Sequence, residues 1–211
     1  VVNKKLSFEE IFAAARYAKE GGLSGLKLYG MAGLPTETDD DIEATADLLL
    51  ALKKATPGLR LSLGVSSFVP KAHTPFQWEP LRPEAEKRLK RLAKRLQPKG
   101  IELRPESYGW SVIQALLSRS DRRLAAVIAA VRGRHGSQGG WKASYRNVCE
   151  QREGNLPPLP SWQETIHGLW DADRVLPWEH LEGPLPKATL ARHRQEALAV
   201  GELSPAGAAA G

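Results

Sequence analysis

A single cysteine, Cys149, occurs in the 211 residues of the chain. One thiol excludes an internal disulfide framework and cannot by itself hold a zinc ion or an iron–sulfur cluster. Its setting predicts a half-buried helix residue rather than a catalytic thiol. No apolar run approaches the roughly eighteen residues that a membrane-spanning helix needs. The opening residues, Val1 to Lys5, carry no apolar signal core and no initiator Met. Such a start reads as a piece of a longer polypeptide, and the scarcity of cysteine predicts a reducing, cytoplasmic setting. A Gly-x-Ser-x-Gly elbow is absent. Histidines 73, 135, 167, 180 and 193 are scattered, with no pair at helical ligand spacing, so neither a catalytic triad nor a metal site is expected within the chain. There is no internal repeat.

What is present suffices for one good core, or for one and a half domains: 42% of the residues are hydrophobic. The formal net charge of +6 permits contact with nucleic acid or an acidic partner without requiring either.

The chain is organised around Leu26 to Asp41. Ser7-Phe8-Glu9-Glu10 is a capping box that opens a first helix, which stops at Gly21-Gly22. Leu26 to Ala32 then alternates as a strand, with Leu26, Leu28 and Gly30 on one face and Lys27, Tyr29 and Met31 on the other. A Gly33-Leu34-Pro35 turn follows. Thr38 caps a second helix, whose first turn holds Asp39, Asp40 and Asp41 at the positive end of its dipole. Its buried stripe should be Ile42, Ala46, Leu49 and Leu50 or Leu52. Leu61 to Pro70 is the second strand, with Leu61, Leu63 and Val65 on one side and Ser62, Gly64 and Ser66 on the other.

Strand, helix and strand in that order make one crossover unit of an α/β fold, in which ligands sit at the carboxyl ends of the strands. The two strands should be adjacent and parallel. Each has one apolar face suited to helices and one polar or mixed face. A parallel sheet buried on both sides would be apolar throughout. The polar face therefore suggests the interior of an open or closed barrel holding a polar ligand. The bland alternative is a snorkelling Lys27, a core Tyr29 and serines bonded to backbone.

Pro83 opens a long helix with the apolar line Leu89, Leu92 and Leu96. Lys87, Arg88, Lys90, Arg91, Lys94 and Arg95 surround that line. Such a run is usually a solvated face, and an RNA or DNA contact is the functional alternative. Ile101 to Arg104 is a short strand closed by Pro105. Beyond it the pattern turns helical: Ser111–Arg119, Ser120–Arg132, Trp141–Gln151, Ser161–Trp170 with the box Ser161-x-x-Glu164, and Pro186–Val200. Residues 133–140 read as a glycine-rich mobile loop. Asn155 to Pro160 reads as a proline-rich connection, Leu176 to Leu181 as an aromatic knot with a packed His180, and Ser204 to Gly211 as a disordered tail. Trp78 is placed at the mouth of the candidate site.

Two stretches together, Lys27-Leu28-Tyr29-Gly30-Met31-Ala32-Gly33-Leu34-Pro35-Thr36-Glu37-Thr38 and Ser67-Phe68-Val69-Pro70-Lys71-Ala72-His73-Thr74-Pro75-Phe76-Gln77-Trp78, resemble the radical S-adenosylmethionine (SAM) enzymes. More narrowly they resemble the cobalamin-binding-type radical SAM proteins. Leu117 to Leu124 and Leu176 to Leu181 are similar to the C-terminal region of that subfamily.

The resemblance implies an α/β fold: the late strands of a partial (β/α) barrel over residues 1–105, then a mostly α-helical C-terminal extension over 106–203. It implies that Gly33, Glu37, Ser66, Phe68 and Val69 meet SAM, and that Lys27, Tyr29, Met31, Lys71 and His73 face a pocket or substrate. The family carries a four-iron, four-sulfur (4Fe-4S) cluster on a Cys-x-x-x-Cys-x-x-Cys loop. No such loop occurs in this sequence, so the cluster and any cobalamin-binding domain would lie in an upstream portion of the same parent polypeptide. By itself, the chain should not cleave SAM. The substrate would be a small molecule or RNA, and the isolated chain should self-associate through an unpaired sheet edge. The competing readings are a nucleic-acid-binding module using helix 83–97 and a non-catalytic scaffold from a truncated gene.

Overall fold

In a computed structural model of the chain, residues 5–134, 136–151 and 158–203 are described. The expected tail at 204–211, His135 and the first part of the proline-rich connection lie outside the described residues. The fold is mixed α/β, dominated by helix, and divides into two compact units. The first takes its residues from Val1–Phe68, Arg82–Ser107 and Gln195–Gly211, and the second from Val69–Leu81 and Tyr108–Arg194.

In the first unit, α1 (Phe8–Glu20) opens with the expected Ser7–Glu10 capping box. Strand β1 (Gly25–Ala32), helix α2 (Asp39–Ala55) and strand β2 (Arg60–Ser67) follow. The carboxylate at the start of α2 that completes the Thr38 box is Asp41. Helix α3 (Glu84–Leu96) and strand β3 (Glu102–Pro105) complete the sheet, whose order is β1-β2-β3. Both pairings are parallel, the first of them as the crossover pattern predicts.

The alternation read from the sequence is the alternation observed. Leu61, Leu63, Val65 and Leu103 are buried, with Leu26 and Leu28 partly so. They pack with Ile42, Ala46, Leu49 and Leu52 of α2 and Leu89, Leu92 and Leu96 of α3. Of the two residues offered for the last place in the α2 stripe, Leu52 is fully buried and Leu50 only partly. This single apolar core positions the sheet and leaves the opposite strand face uncovered among the described residues.

The second unit is helical: α4 (Tyr108–Arg119), α5 (Ala125–Arg132), α6 (Gln138–Glu150), α7 (Trp162–His167) and the first part of α8 (Lys187–Leu203). Several details differ from the sequence reading. Gln138, Gly139 and Gly140 are not loop but the first turn of α6, because the Ser137 hydroxyl accepts the Gly140 N–H and nucleates the helix there. The expected helix over 120–132 splits into a 3-10 turn at Arg122–Leu124, capped by Asp121, and α5. Helix α7 stops at His167, and only half of its expected box forms: Ser161 accepts from the Glu164 N–H, while the Glu164 carboxylate turns outward to Arg174. Cys149 is exposed rather than half-buried.

The aromatic knot is present as a cluster of Trp78, Trp170, Leu176, Trp178 and Leu190. Trp78 sits at no pocket mouth. It is completely buried, and its carbonyl accepts the Trp170 N–H. His180, expected to be packed, is exposed. Among the described residues no helix is long and apolar enough to cross a membrane.

Candidate functional site

Register decides what the open sheet face presents. Lys27 lies opposite Ser62, Tyr29 opposite Gly64 and Met31 opposite Ser66, and Gly64 lies in turn opposite Arg104. A cavity of about 590 Å³ opens on this face, lined among others by Lys27, Tyr29, Met31, Leu34, Ser66 and Arg104. Tyr29 is 78% and Met31 45% exposed.

The floor is shaped by a missing side chain. A Cβ on Gly64 would stand 3.3 Å from the Tyr29 ring and 3.5 Å from Cε of Lys27. With hydrogen there instead, the Lys27 ammonium lies over the Tyr29 ring, 4.7 Å from its centroid. Arg104 makes a two-bonded fork with Glu102, at 2.8 and 3.1 Å. That fork holds the Glu102 carboxyl below its usual range. The face thus offers a lysine, an arginine with its carboxylate, a serine hydroxyl and apolar surface from Met31 and Leu34.

Sequence reasoning named Lys27, Tyr29, Met31 and Ser66 here but missed Arg104 and Leu34. Arg104 was legible in principle. It alternates with buried Leu103 in the same pattern that singled out the faces of β1 and β2.

The turn after β1 is built differently from a backbone left open to a ligand. Gly33 has φ +83°, and a Cβ there would lie 2.7 Å from Cβ of Ala85. Glycine is therefore required by the approach of α3 as well as by the left-handed backbone. The Gly33 N–H donates to Oε2 of Glu37 at 2.7 Å, and the Arg88 guanidinium donates to the same oxygen at 3.0 Å. Glu37 and Arg88 are nearly buried, with side-chain exposures of 9% and 11%. Thr36 is also left-handed, at φ +66°. That is an outlier conformation for a β-branched residue, held by the bonds on either side. Glu37 therefore shapes the strand end and does not line the open face.

The remaining candidates fall elsewhere. Phe68 is buried, with its N–H donating to the Ala32 carbonyl. Val69 belongs to the core of the second unit. Lys71 is exposed in that unit, and its carbonyl accepts the Thr74 hydroxyl. His73 is left-handed at φ +55°, and its N–H donates to the Gln77 side chain at 3.0 Å. It lines a separate cavity of about 330 Å³ with Gln77, Trp178, Glu179 and Lys187. Four of the ten candidates, Lys27, Tyr29, Met31 and Ser66, are thus brought together in one cavity.

The basic helix is accounted for largely by its neighbour. Arg88 pairs with Asp39 as well as Glu37, Arg91 with Asp39 and Glu43, and Arg95 with Glu43 and Asp47. Lys90 pairs with Glu86 one turn before it. The acidic face of α2 thus takes up the arginines of α3 in a ladder. Among the described residues no group of three or more His, Cys, Asp or Glu side chains is arranged to hold a metal ion.

Compared with known proteins, the chain matches no family model. It is similar to an uncharacterized protein of Methanocaldococcus jannaschii, 33% identical over 127 residues. Those residues are 60% of this chain and 28% of the archaeal protein, so the chain spans less than a third of that relative's length. No solved structure matches it.

Proposed function

We propose that the chain is the later part of a radical SAM enzyme's partial (β/α) barrel, with its helical extension, and that the open face of β1-β2-β3 is one wall of the chamber where SAM and substrate meet. The supporting observation is the parallel sheet itself. Helices cover one face, and neighbouring strands place Lys27, Tyr29, Met31, Gly64, Ser66 and Arg104 around a cavity on the other.

The residues present fit SAM. Lys27 supplies a cation for a carboxylate, Ser66 a hydroxyl, Met31 and Leu34 apolar contact, and side-chain-free Gly64 leaves room at the floor, while Arg104 is paired with Glu102. Bound against a reduced 4Fe-4S cluster, SAM supplies hydrogen-abstracting radical chemistry. The chain's own contribution is to orient the ligand and to exclude water from one side. It does not fit the cluster: one exposed cysteine provides no ligand set. The cluster loop, and cobalamin where it is used, belong in this reading to an upstream portion of the parent polypeptide. The α2–α3 ladder leaves the nucleic-acid-binding reading of α3 weaker, because its arginines already have anionic partners.

The test is anaerobic reconstitution of the parent protein with iron and sulfide, followed by assay for 5′-deoxyadenosine from SAM under reducing conditions. The reconstituted parent should release it, and residues 1–211 alone should not. A parent reading frame without a Cys-x-x-x-Cys-x-x-Cys loop upstream would end this reading and favour the non-catalytic scaffold.

A further inference from the structure

The second unit contains an arginine that, among the described residues, no carboxylate neutralises directly. Arg119, the last residue of α4, is 1% exposed. Its guanidinium donates to three carbonyls, those of Gly168 at 2.8 Å, Ile166 at 3.3 Å and Trp78 at 3.5 Å. It lies over the Trp170 ring, 3.7 Å from the centroid. Its Nε–H is buried without a partner among the described residues. Carbonyls and a ring face satisfy donors but bring no negative charge, so a buried cation of this kind favours an anion nearby. Burial has already drawn its pKa down to about 10, leaving the group charged at neutral pH.

Arg119 lines a cavity of about 600 Å³ together with Arg122, Arg123, Arg174 and His180. Arg174 also lies over the Trp170 ring, 4.4 Å from its centroid. Four guanidiniums thus meet one lining carboxylate, Asp121, which is bonded to Arg123. Glu164 reaches Arg174 from outside the lining. Among the described residues two positive charges are left over. The excess extends to the whole unit, whose residues include thirteen Lys and Arg against nine Asp and Glu.

We propose that this cavity binds a phosphorylated small molecule, with its dianionic phosphate monoester among the lining arginines. The two uncompensated charges match the charge of a phosphate monoester near neutral pH. Guanidinium forks suit its tetrahedral oxygens. The volume exceeds what a bare phosphate ion fills and lies within the range of small-ligand pockets. Apolar Val175, Pro177 and Pro160 line the remainder and suit the organic part. This site is independent of the sheet-face reading above.

The experiment is calorimetric titration of the full chain with phenyl phosphate, with inorganic phosphate, with phenol and with a short single-stranded RNA. Phenyl phosphate should bind at one site per chain, inorganic phosphate more weakly at the same site, and phenol not at all. Arg122 is exposed, so Arg122→Ala should leave the thermal melt unchanged while weakening phenyl phosphate by about tenfold or more, and Arg122→Lys should recover part of the loss. Arg174→Ala is the second variant and should weaken the same ligand. Saturation by neither phosphate probe would overturn the proposal. So would binding that neither variant alters, or binding of inorganic phosphate alone. RNA that displaces phenyl phosphate and binds more tightly would assign the cavity to a nucleic-acid backbone instead.

Discussion

The backbone N–H of Gly33 donates to the Glu37 carboxylate at 2.7 Å, and the oxygen that accepts it also accepts the Arg88 guanidinium. Burial is the largest influence on this carboxyl and raises its pKa above the ordinary 4.5, against the opposing pull of Gly33 and Arg88. A carboxyl that holds its proton more tightly in the folded chain stabilises the fold most below its unfolded pKa. That contribution is lost as pH rises through the folded pKa. Glutamine has nearly the same shape and no titration. The stability difference between the native chain and Glu37→Gln should therefore move in favour of Glu37→Gln as pH rises from about 4 to about 7. Urea midpoints across that range measure it. Movement in the opposite direction would show that the two hydrogen-bonding partners outweigh burial.

Two glycines separate backbone strain from packing. Gly33→Ala adds left-handed strain and a 2.7 Å collision with Ala85, together about 2–4 kcal/mol. Gly58→Ala, at φ +88° with nothing within 4 Å, adds strain alone, about 1–2 kcal/mol. Equal losses in chemical denaturation would mean that α3 yields freely at Ala85.

The α2–α3 ladder makes a prediction about nucleic acid. With Arg88, Arg91 and Arg95 engaged, the native chain should bind RNA through α3 only weakly, and less as salt rises from about 50 to about 200 mM. Replacing the acids, in Asp39→Asn/Glu43→Gln/Asp47→Asn, should raise that salt-sensitive affinity. Each exposed pair lost should cost no more than about 1 kcal/mol of stability. Fluorescence anisotropy with a labelled oligonucleotide reads the first and a urea melt the second. Tight, sequence-selective binding by the native chain would refute the assignment of these arginines to the ladder.

Exposed Tyr29 and Met31 lie on β1, a strand at the edge of the sheet. The isolated chain should self-associate through this surface. Tyr29→Ser/Met31→Ser should shift it toward monomer in light scattering over a concentration series. A native chain that stays monomeric throughout would exclude this face as a sticky surface.

The strands were readable because alternation is a local signal: Lys27, Tyr29 and Met31 against Leu26 and Leu28 fixes two faces whatever the rest of the chain does. Helix α6 begins three residues before the sequence reading starts it, because the Ser137 hydroxyl caps a first turn whose Gly139-Gly140 reads as loop. The α2–α3 ladder could not be read, since each partner is some fifty positions away and only packing brings the helices side by side. The arginine cavity was hidden for the same reason. Arg119 and Arg174 are fifty-five positions apart in the chain, and only packing brings them to one cavity.

Ala85 and Arg88 stand one turn apart on the same side of α3. One abuts the place where Gly33 lacks a side chain, and the other grips Glu37. The helix therefore holds the strand-end turn at two points, one by steric contact and one by an ion pair. In mechanical terms the turn is a linkage, and the helix behind it sets where the floor of the open face ends.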